Sequence, residues 1–339
     1  MATVGATYLN LSDLASMSKA DGTPVDYMVN VLSQSNPIID DIPFQECNYE
    51  TSKHVSTHWT SLPSGTWTGF YDPVTPGKAT AAQVFDSPAM LEAYSEVDTR
   101  ILDVSRDRAK TLMLQSTAFM EGLGQDFANA LIGGDTRVNP KTFDGLQVRY
   151  NALGTTGYGG QIIDAGGTST DNTSIWLVTW GEPYVSGIIP IGTSTGLKID
   201  DLGIQTKENS TGGLYQVQRT HFRWNVGMAV GDYRSVVRIA NIKISDILTA
   251  GAATDTSPKL FRFFTQAWNK LRNPTIKPPL GKQVIYANNV VITALDIIAQ
   301  GRVSNQLSYA NIDGSPILTY RGIPIKQVDK IGIAETRVV

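Results

Sequence analysis

The chain carries three histidines, His54, His58 and His221, and one cysteine, Cys47. Any Ser-His-Asp or Cys-His nucleophile would have to be built around one of these few residues. His54 and His58 stand four apart in Lys53–Ser61, where Thr57, Trp59 and Thr60 favour a strand. On a strand they would project to the same side about 13 Å apart, too far to share one metal ion. His221, between Thr220 and Phe222, reads as a structural histidine rather than a base. Adjacent Asp200 and Asp201 would face opposite ways on a strand and, before Gly203, read as a turn. The Gly154, Gly157, Gly159, Gly160 cluster lacks the spacing of a phosphate cradle, and no G-x-x-x-x-G-K-S/T run exists. These residues predict no catalytic, cofactor or metal site, and on this evidence an enzyme is disfavoured.

Composition narrows the partners. The 339 residues are 41% hydrophobic, enough for a sizeable core and more than one lobe. The net charge of −3 gives no basic surface for coating nucleic acid. Only 17% of residues are charged, against about 25% in typical domains, which suits β-rich surface covered by contacts. One cysteine excludes an intrachain disulfide. Met1–Asn10 has no basic segment followed by an apolar run, and no stretch approaches the length of a membrane-spanning helix. Synthesis in a reducing cytoplasm is expected. The N-x-Ser/Thr triplets at Asn10, Asn172 and Asn209 then carry no meaning as glycosylation sites.

The elements that would position any functional surface are more informative. Residues 1–50 read as a polar arm with one weak helical segment, Val25–Gln34, and with Pro37 and Pro43 keeping the rest extended. Residues 51–86 read as a long hairpin. Val55, Thr57 and Trp59 share one face of its first strand; Leu62-Pro63-Ser64-Gly65 is a turn, and Thr66–Tyr71 an aromatic return. Such a hairpin cannot build its own core and needs a surface to lie on. Ser87-Pro88 then signals a helix start, and Gly133-Gly134 a stop. Roughly 45 residues of helix would span about 65 Å. A compact chain of this length has a diameter near ~50 Å, so a flat, elongated molecule is expected.

Tyr94, Val97, Ile101 and Val104 form one apolar stripe on that helix, and Leu112, Phe119, Leu123, Phe127 and Leu131 another. Around them run Glu96, Arg100, Asp103, Arg106, Asp107, Arg108 and Lys110, either a solvated face with weak pairs such as Glu96–Arg100 and Asp107–Lys110, or a set of inter-subunit contacts. Gly122 and Gly124 are expected bend points. Beyond Gly133 the texture turns to β over Thr173–Ile191, Tyr215–Val230 and Ser235–Ile242. Ser257-Pro258 opens a helix over Lys259–Leu271, Val284–Tyr286 is a short buried strand, and Asn288 or Asn289 caps a helix to Ile298. Ile317–Val328 returns as strand, broken at Gly322 and Pro324.

The order of these parts, with Gly133-Gly134-Asp135, Phe143-Asp144-Gly145-Leu146, Val284–Asn288 and Tyr320-Arg321-Gly322-Ile323-Pro324-Ile325, resembles the major capsid protein of tailed double-stranded DNA phages. That fold is shared with herpesvirus capsid floors and encapsulin shells. Met90–Asp98 and Ile163–Trp180 are similar to short-tailed, Bordetella-phage-like podovirus members.

The resemblance implies an α+β fold: an arm at 1–50, an extended hairpin loop at 51–86, and a spine helix opening the peripheral domain at 87–150. A β-rich insertion would follow at 151–242, an axial domain at 243–315 and a return strand at 316–339. It implies hexamers and pentamers of an icosahedral virion shell around double-stranded DNA, without sequence-specific binding. A separate scaffolding protein, a portal and a cement or decoration protein would be partners, and no membrane. Trp59, Trp67, Phe70 and Tyr71 would be inter-subunit anchors of the hairpin. Some relatives cross-link a hairpin lysine; Lys53 and Lys78 lie in the right region, but no surrounding acid marks such chemistry. An encapsulin-like compartment is the rival within the fold. A carbohydrate-binding or carbohydrate-active protein using Trp176, Trp180 and Trp224 as sugar platforms is the rival outside it.

Overall fold

A computed structural model describes residues 34–209, 211–249, 256–271, 281–301, 307–312 and 315–339, together with 9, 13, 14 and 17. The helical expectation for Val25–Gln34 falls, save Gln34, outside them. The chain divides into two compact units. One comprises Met1–Gln34, Met90–Asn129 and Thr195–Asn225; the other comprises Ser35–Ala89, Ala130–Ser194 and Val226–Val339.

The second unit opens with helix α1 (Ile38–Asp41), strand β1 (Phe44–Glu46) and the antiparallel pair β2 (His54–Ser61) and β3 (Thr80–Asp86). The first unit takes up the chain at β4 (Ala89–Asp98), α2 (Thr99–Val104) and most of α3 (Arg108–Gly133). This corrects the single helix expected from Ser87 to Gly134. The α3 helix has 26 residues, about 39 Å at about 1.5 Å each, and it runs unbroken through Gly122 and Gly124.

Two aspartates account for the difference. Asp98, extended at φ −60° and ψ 131°, accepts from the Arg100 N–H and starts α2. Asp107 accepts from the Lys110 N–H at 3.0 Å and starts α3. Capping aspartates offer the backbone an alternative to a continuing helix. Ahead of them Ala89–Asp98 alternates in burial, with Ser95 and Val97 buried and Met90, Glu92 and Tyr94 exposed, the period-two pattern of a strand. Pairing to β9 (Leu214–Val230) fixes it.

In the first unit β9 also pairs antiparallel with β8 (Lys198–Glu208). The aspartate turn expected at Asp200-Asp201 is a bulge inside β8, where Asp201 accepts from the Gly203 N–H at 2.9 Å. The core joins α3 to this sheet. Phe119 stacks on Phe222 with centroids 5.3 Å apart, and Phe127 packs on Trp224 at 4.6 Å.

In the second unit α4 (Leu146–Arg149) and β5 (Ile162–Asp164) lead to β6 (Asn172–Trp180), whose residues are all buried. Antiparallel partners flank β6: β10 (Val236–Lys243) and β11 (Lys282–Ala287). Around them lie β7 (Val185–Ile189), α5 (Ile244–Thr249), α6 (Thr256–Lys270), α7 (Asn289–Gly301), β12 (Leu307–Ile312), β13 (Ser315–Tyr320) and β14 (Ile323–Gln327). Leu260, Phe264 and Ala267 of α6 and Val291 and Leu295 of α7 bury against Ile175, Leu177, Ile239 and Ile285 of the sheet. The strands of residues 151–242 are shared between the two units. β5, β6, β7 and β10 belong to the second unit, while β8 and the start of β9 belong to the first.

Two sequence signals have clear physical causes. Asn288 accepts from the Val290 N–H at 3.1 Å, capping α7. Gly134 and Gly145 cross where the Gly145 N–H meets the Gly134 carbonyl at 2.9 Å, and a Cβ on Gly134 would lie 2.4 Å from the Phe143 carbonyl.

Candidate assembly interface

Strands β2 and β3 pair from His54↔Asp86 to Ser61↔Thr80, with an irregularity between Trp59 and Ser61. Hydroxyls close the far end of the ladder: Thr60 Oγ1 and Ser61 Oγ lie 2.8 and 2.7 Å from Thr80 Oγ1. Every residue from 59 to 83 is exposed.

The ladder is inverted in its chemistry. His54 and Ser56 are buried, while Val55, Thr57 and Trp59 form the opposite face with Phe85 across from Val55. Trp59 is 68% exposed and Phe85 51%. A strand pair that hides its polar side and shows its apolar side is complementary to another surface. Beyond the ladder Trp67, Phe70 and Tyr71 are fully exposed. All four predicted hairpin anchors are therefore exposed, Trp59 less completely than the other three.

The root of the hairpin is firmly held. Asn48 clamps β2, its Oδ1 accepting from the Val55 N–H at 2.7 Å and its Nδ2 donating to the Val55 carbonyl at 3.0 Å. Tyr49 meets Phe85 edge-on at 5.6 Å. Arg149 donates to Asp86 at 2.6 Å and to the Met228 carbonyl at 3.3 Å, with both charged side chains largely buried. Burial holds the His54 imidazole below its ordinary pKa, against the pull of Asp86 and Glu182. Sequence reasoning missed these anchoring residues. Their partners are 63 residues away in the case of Arg149, and a single sequence contains no signal for such pairings.

A second anchor holds the segment just before the hairpin. Asp41 is almost wholly buried and accepts from Lys282 at 2.7 Å, Lys326 at 2.6 Å and the Tyr286 hydroxyl at 2.8 Å. Burial opposes the charge on Asp41, but these three donors outweigh it and hold the carboxyl below the usual range. The Tyr286 hydroxyl in turn accepts from Trp180 Nε1 at 2.7 Å.

The predicted charge band does not form one face. Glu96 lies on β4 and binds Lys207 and Arg219 of its own chain. Burial works against its charge, yet those two cations keep its carboxyl below the usual range. Arg100 pairs with Asp98 at 2.7 Å, not with Glu96, and Asp103 pairs with Arg108 at 3.4 Å. Arg106 lies in the break between α2 and α3, and Asp107 caps α3 at the Lys110 N–H. The loss of the continuous helix is what scatters them.

Other chemistry-bearing residues sit in structural roles. His221 stacks flat on Tyr94 at 4.2 Å and lies 3.3 Å from Glu92. Trp176 and Trp180 are 1% exposed and Trp224 9%, so none can serve as a sugar platform. Lys53 pairs with Glu50 at 2.9 Å. Among the described residues no three His, Cys, Asp or Glu gather to hold a metal ion, and no helix is long and apolar enough to cross a membrane.

The family model described as "Major capsid protein GP7" matches residues 19–339. The chain belongs to that family. It is a structural protein of the virion capsid and not an enzyme. The structure of bacteriophage epsilon15 is similar over 100% of this chain and 99% of that one, with a TM-score of 0.79 and 25% identity. The bacteriophage JBD30 capsid covers 96% and 99%, at TM-score 0.47 and 10% identity. The SrpI encapsulin complex from Synechococcus elongatus PCC 7942 covers 69% and 97%, at TM-score 0.46 and 12% identity. No protein with a curated description matches the chain. The α+β architecture expected from the resemblance is the fold observed, and self-assembly into a shell follows from family membership.

Proposed function

We propose that the 51–86 hairpin is the element that joins copies of this capsid protein into its shell. It lies across an adjacent copy, with Trp59, Trp67, Phe70 and Tyr71 as anchors. One observation carries this reading: an apolar-outward hairpin, exposed throughout 59–83, whose root is clamped by buried charge and amide contacts. Aromatics desolvated at the centre of an interface commonly dominate its energy. The copies gather as hexamers and pentamers of an icosahedral shell, in which symmetry multiplies individually modest contacts. Residues 243–315 point toward the capsomer axes, and 316–339 returns from them.

The shell encloses double-stranded DNA without reading its sequence. A net charge of −3 suits a wall to which a packaged polyanion must not adhere. A separate scaffolding protein directs closure, a portal occupies one vertex and a cement protein completes the exterior. Electron microscopy of the largest sedimenting fraction, with and without the neighbouring phage genes, tests the proposal. Closed shells with the neighbours, and misshapen or open ones without them, are expected. Only small monodisperse particles under both conditions would refute it; faithful shells from this chain alone would remove the separate scaffold.

A further inference from the structure

Glu335 is a buried carboxylate outside every helix and strand. It lies in residues 328–339, which follow β14, and its N–H donates to the Asn172 carbonyl at 2.8 Å. Its side chain, 8% exposed, pairs at 2.9 Å with Arg238 of β10, which is 4% exposed. The carboxylate also accepts from Gln147 Nε2 at 2.9 Å and from the Ser174 hydroxyl. Arg238 donates in addition to the Tyr150 carbonyl at 2.6 Å and to Ser174 Oγ at 3.0 Å, and its guanidinium lies 4.9 Å from the centre of the Trp176 ring.

Gln147 and Tyr150 flank Arg149, the residue that reaches Asp86 at the root of the hairpin. One ion pair therefore holds the chain on both sides of the root clamp. Helix α4 cannot place Arg149 by itself: it has four residues and no side-chain cap at Gly145. A single turn is far below the length at which a helix stands alone. The contact of Arg149 Nε with the Asp144 carbonyl, at 3.1 Å, lies within the same short segment. We propose that Glu335 is a positioning residue for the assembly arm. Through Gln147 directly, and through Arg238 and Tyr150, it fixes α4 so that Arg149 locks Asp86 and holds the hairpin root in one direction. The proposal rests on the reading of the hairpin as the arm that joins copies.

Stability alone does not account for the pair. The cost of desolvating two opposite charges roughly cancels their attraction, and apolar residues of similar volume often serve as well or better. What an arginine–carboxylate pair adds is direction, because the planar guanidinium donates along fixed lines. Here those lines run to Glu335, to Ser174 and to the residue that closes α4, Tyr150.

The test is amide hydrogen exchange on the unassembled full-length chain, comparing the hairpin root, residues 53–57 and 84–87, with β11 and α7 of the same sample. Arg149→Met with Asp86→Leu opens the root clamp, leaves no orphaned charge and serves as the reference. Arg238→Met with Glu335→Leu removes the positioning pair in the same way. Both should speed exchange at the root by about tenfold and leave β11 and α7 within about twofold of wild type. Gln147→Ala, which cuts only the direct tie to α4, should give a smaller rise at the same root residues and keeps the test open if the double variant misfolds. Equal acceleration at the root and at β11 and α7 would make Glu335 a general stabiliser and refute the proposal. A protected root in the Glu335 variants beside a loosened one in the reference would refute it too, as would a reference that leaves the root protected. Shell yield of the same variants, expressed with the phage neighbours, separates the two readings. A loosened root with fewer shells supports both; a loosened root with wild-type yield keeps Glu335 as the residue that positions the root and removes the hairpin as the assembly arm.

Discussion

Arg149 and Asp86 meet at 2.6 Å with their side chains 11% and 5% exposed, tying the last residue of the hairpin's returning strand to α4. Removing one partner of such a pair leaves a buried charge without compensation, which costs about 3–5 kcal/mol. Asp86→Ala should therefore destabilise the second unit by that order, and denaturant unfolding of the unassembled chain measures it. Replacing both residues with apolar ones should cost far less, because no orphaned charge remains.

His54 faces Asp86 across the same ladder, and its depressed pKa gives a pH dependence with a definite sign. The unfolded chain takes up a proton near the ordinary histidine value, about 6.5, while the folded chain resists it. Stability should hold above that value and fall as pH drops through it. His54→Gln should flatten the dependence between about pH 7 and 5, as seen in thermal unfolding across that range. An unchanged slope would assign the titration to another group.

Asp41 works in a lower window. Its folded carboxyl is held below the unfolded value of about 3.9, so its stabilisation is complete above that pH and is lost below it. Asp41→Asn should lower stability at neutral pH by about 1–3 kcal/mol, since Lys326 and Tyr286 lose their strong acceptor. It should also shallow the acid limb of the stability curve below about pH 4. Urea titrations at neutral pH and near pH 3.5 separate these two effects.

Gly134 offers a steric test. An added methyl would meet the Phe143 carbonyl at 2.4 Å and the Ala130 carbonyl at 2.6 Å. Backbone must move to admit it, so Gly134→Ala should cost more than about 1 kcal/mol. Gly122→Ala, with nothing within 4 Å of the added atom, should be neutral or stabilising.

How far the sequence discloses this molecule depends on the range of the interaction involved. The Gly134–Gly145 crossing, the Asn288 cap and the Tyr320-Arg321-Gly322 turn, with φ positive at both Arg321 and Gly322, are local, and their residues announce them. The hairpin and its first strand are legible because its aromatics have no core of their own to join. Its return is not: the strand that pairs with β2 is Thr80–Asp86, and Thr66–Tyr71, expected as the return, forms no strand. Nor is Ala89–Asp98. Its Tyr94 and Val97 continue a helical repeat through Ile101 and Val104, while its alternating burial is equally good for a strand, and pairing with β9 decides between them. Asp98 and Asp107 were readable as caps, yet lay inside what looked like one helix. The division of residues 151–242 between two units depends on pairings far along the chain, such as Val178 with Val284, for which one sequence holds no clue.

The hairpin tryptophans give the cleanest separation of folding from assembly. Trp67 is fully exposed and Trp59 68% exposed, so the isolated chain gains almost nothing by burying either. Surface substitutions away from special features usually change stability by less than about 0.5 kcal/mol. Trp67→Ser should therefore leave the denaturation midpoint of the unassembled chain where it is. In the shell, the same ring would be desolvated once per subunit, and a buried aromatic anchor is worth about 2 kcal/mol or more. The concentration at which shells appear should then rise by about thirtyfold. Light scattering against concentration, beside unfolding of the same preparations, reads both quantities. A variant that unfolds earlier would place Trp67 in the fold of its own subunit, and one that assembles at the wild-type concentration would remove it from the interface.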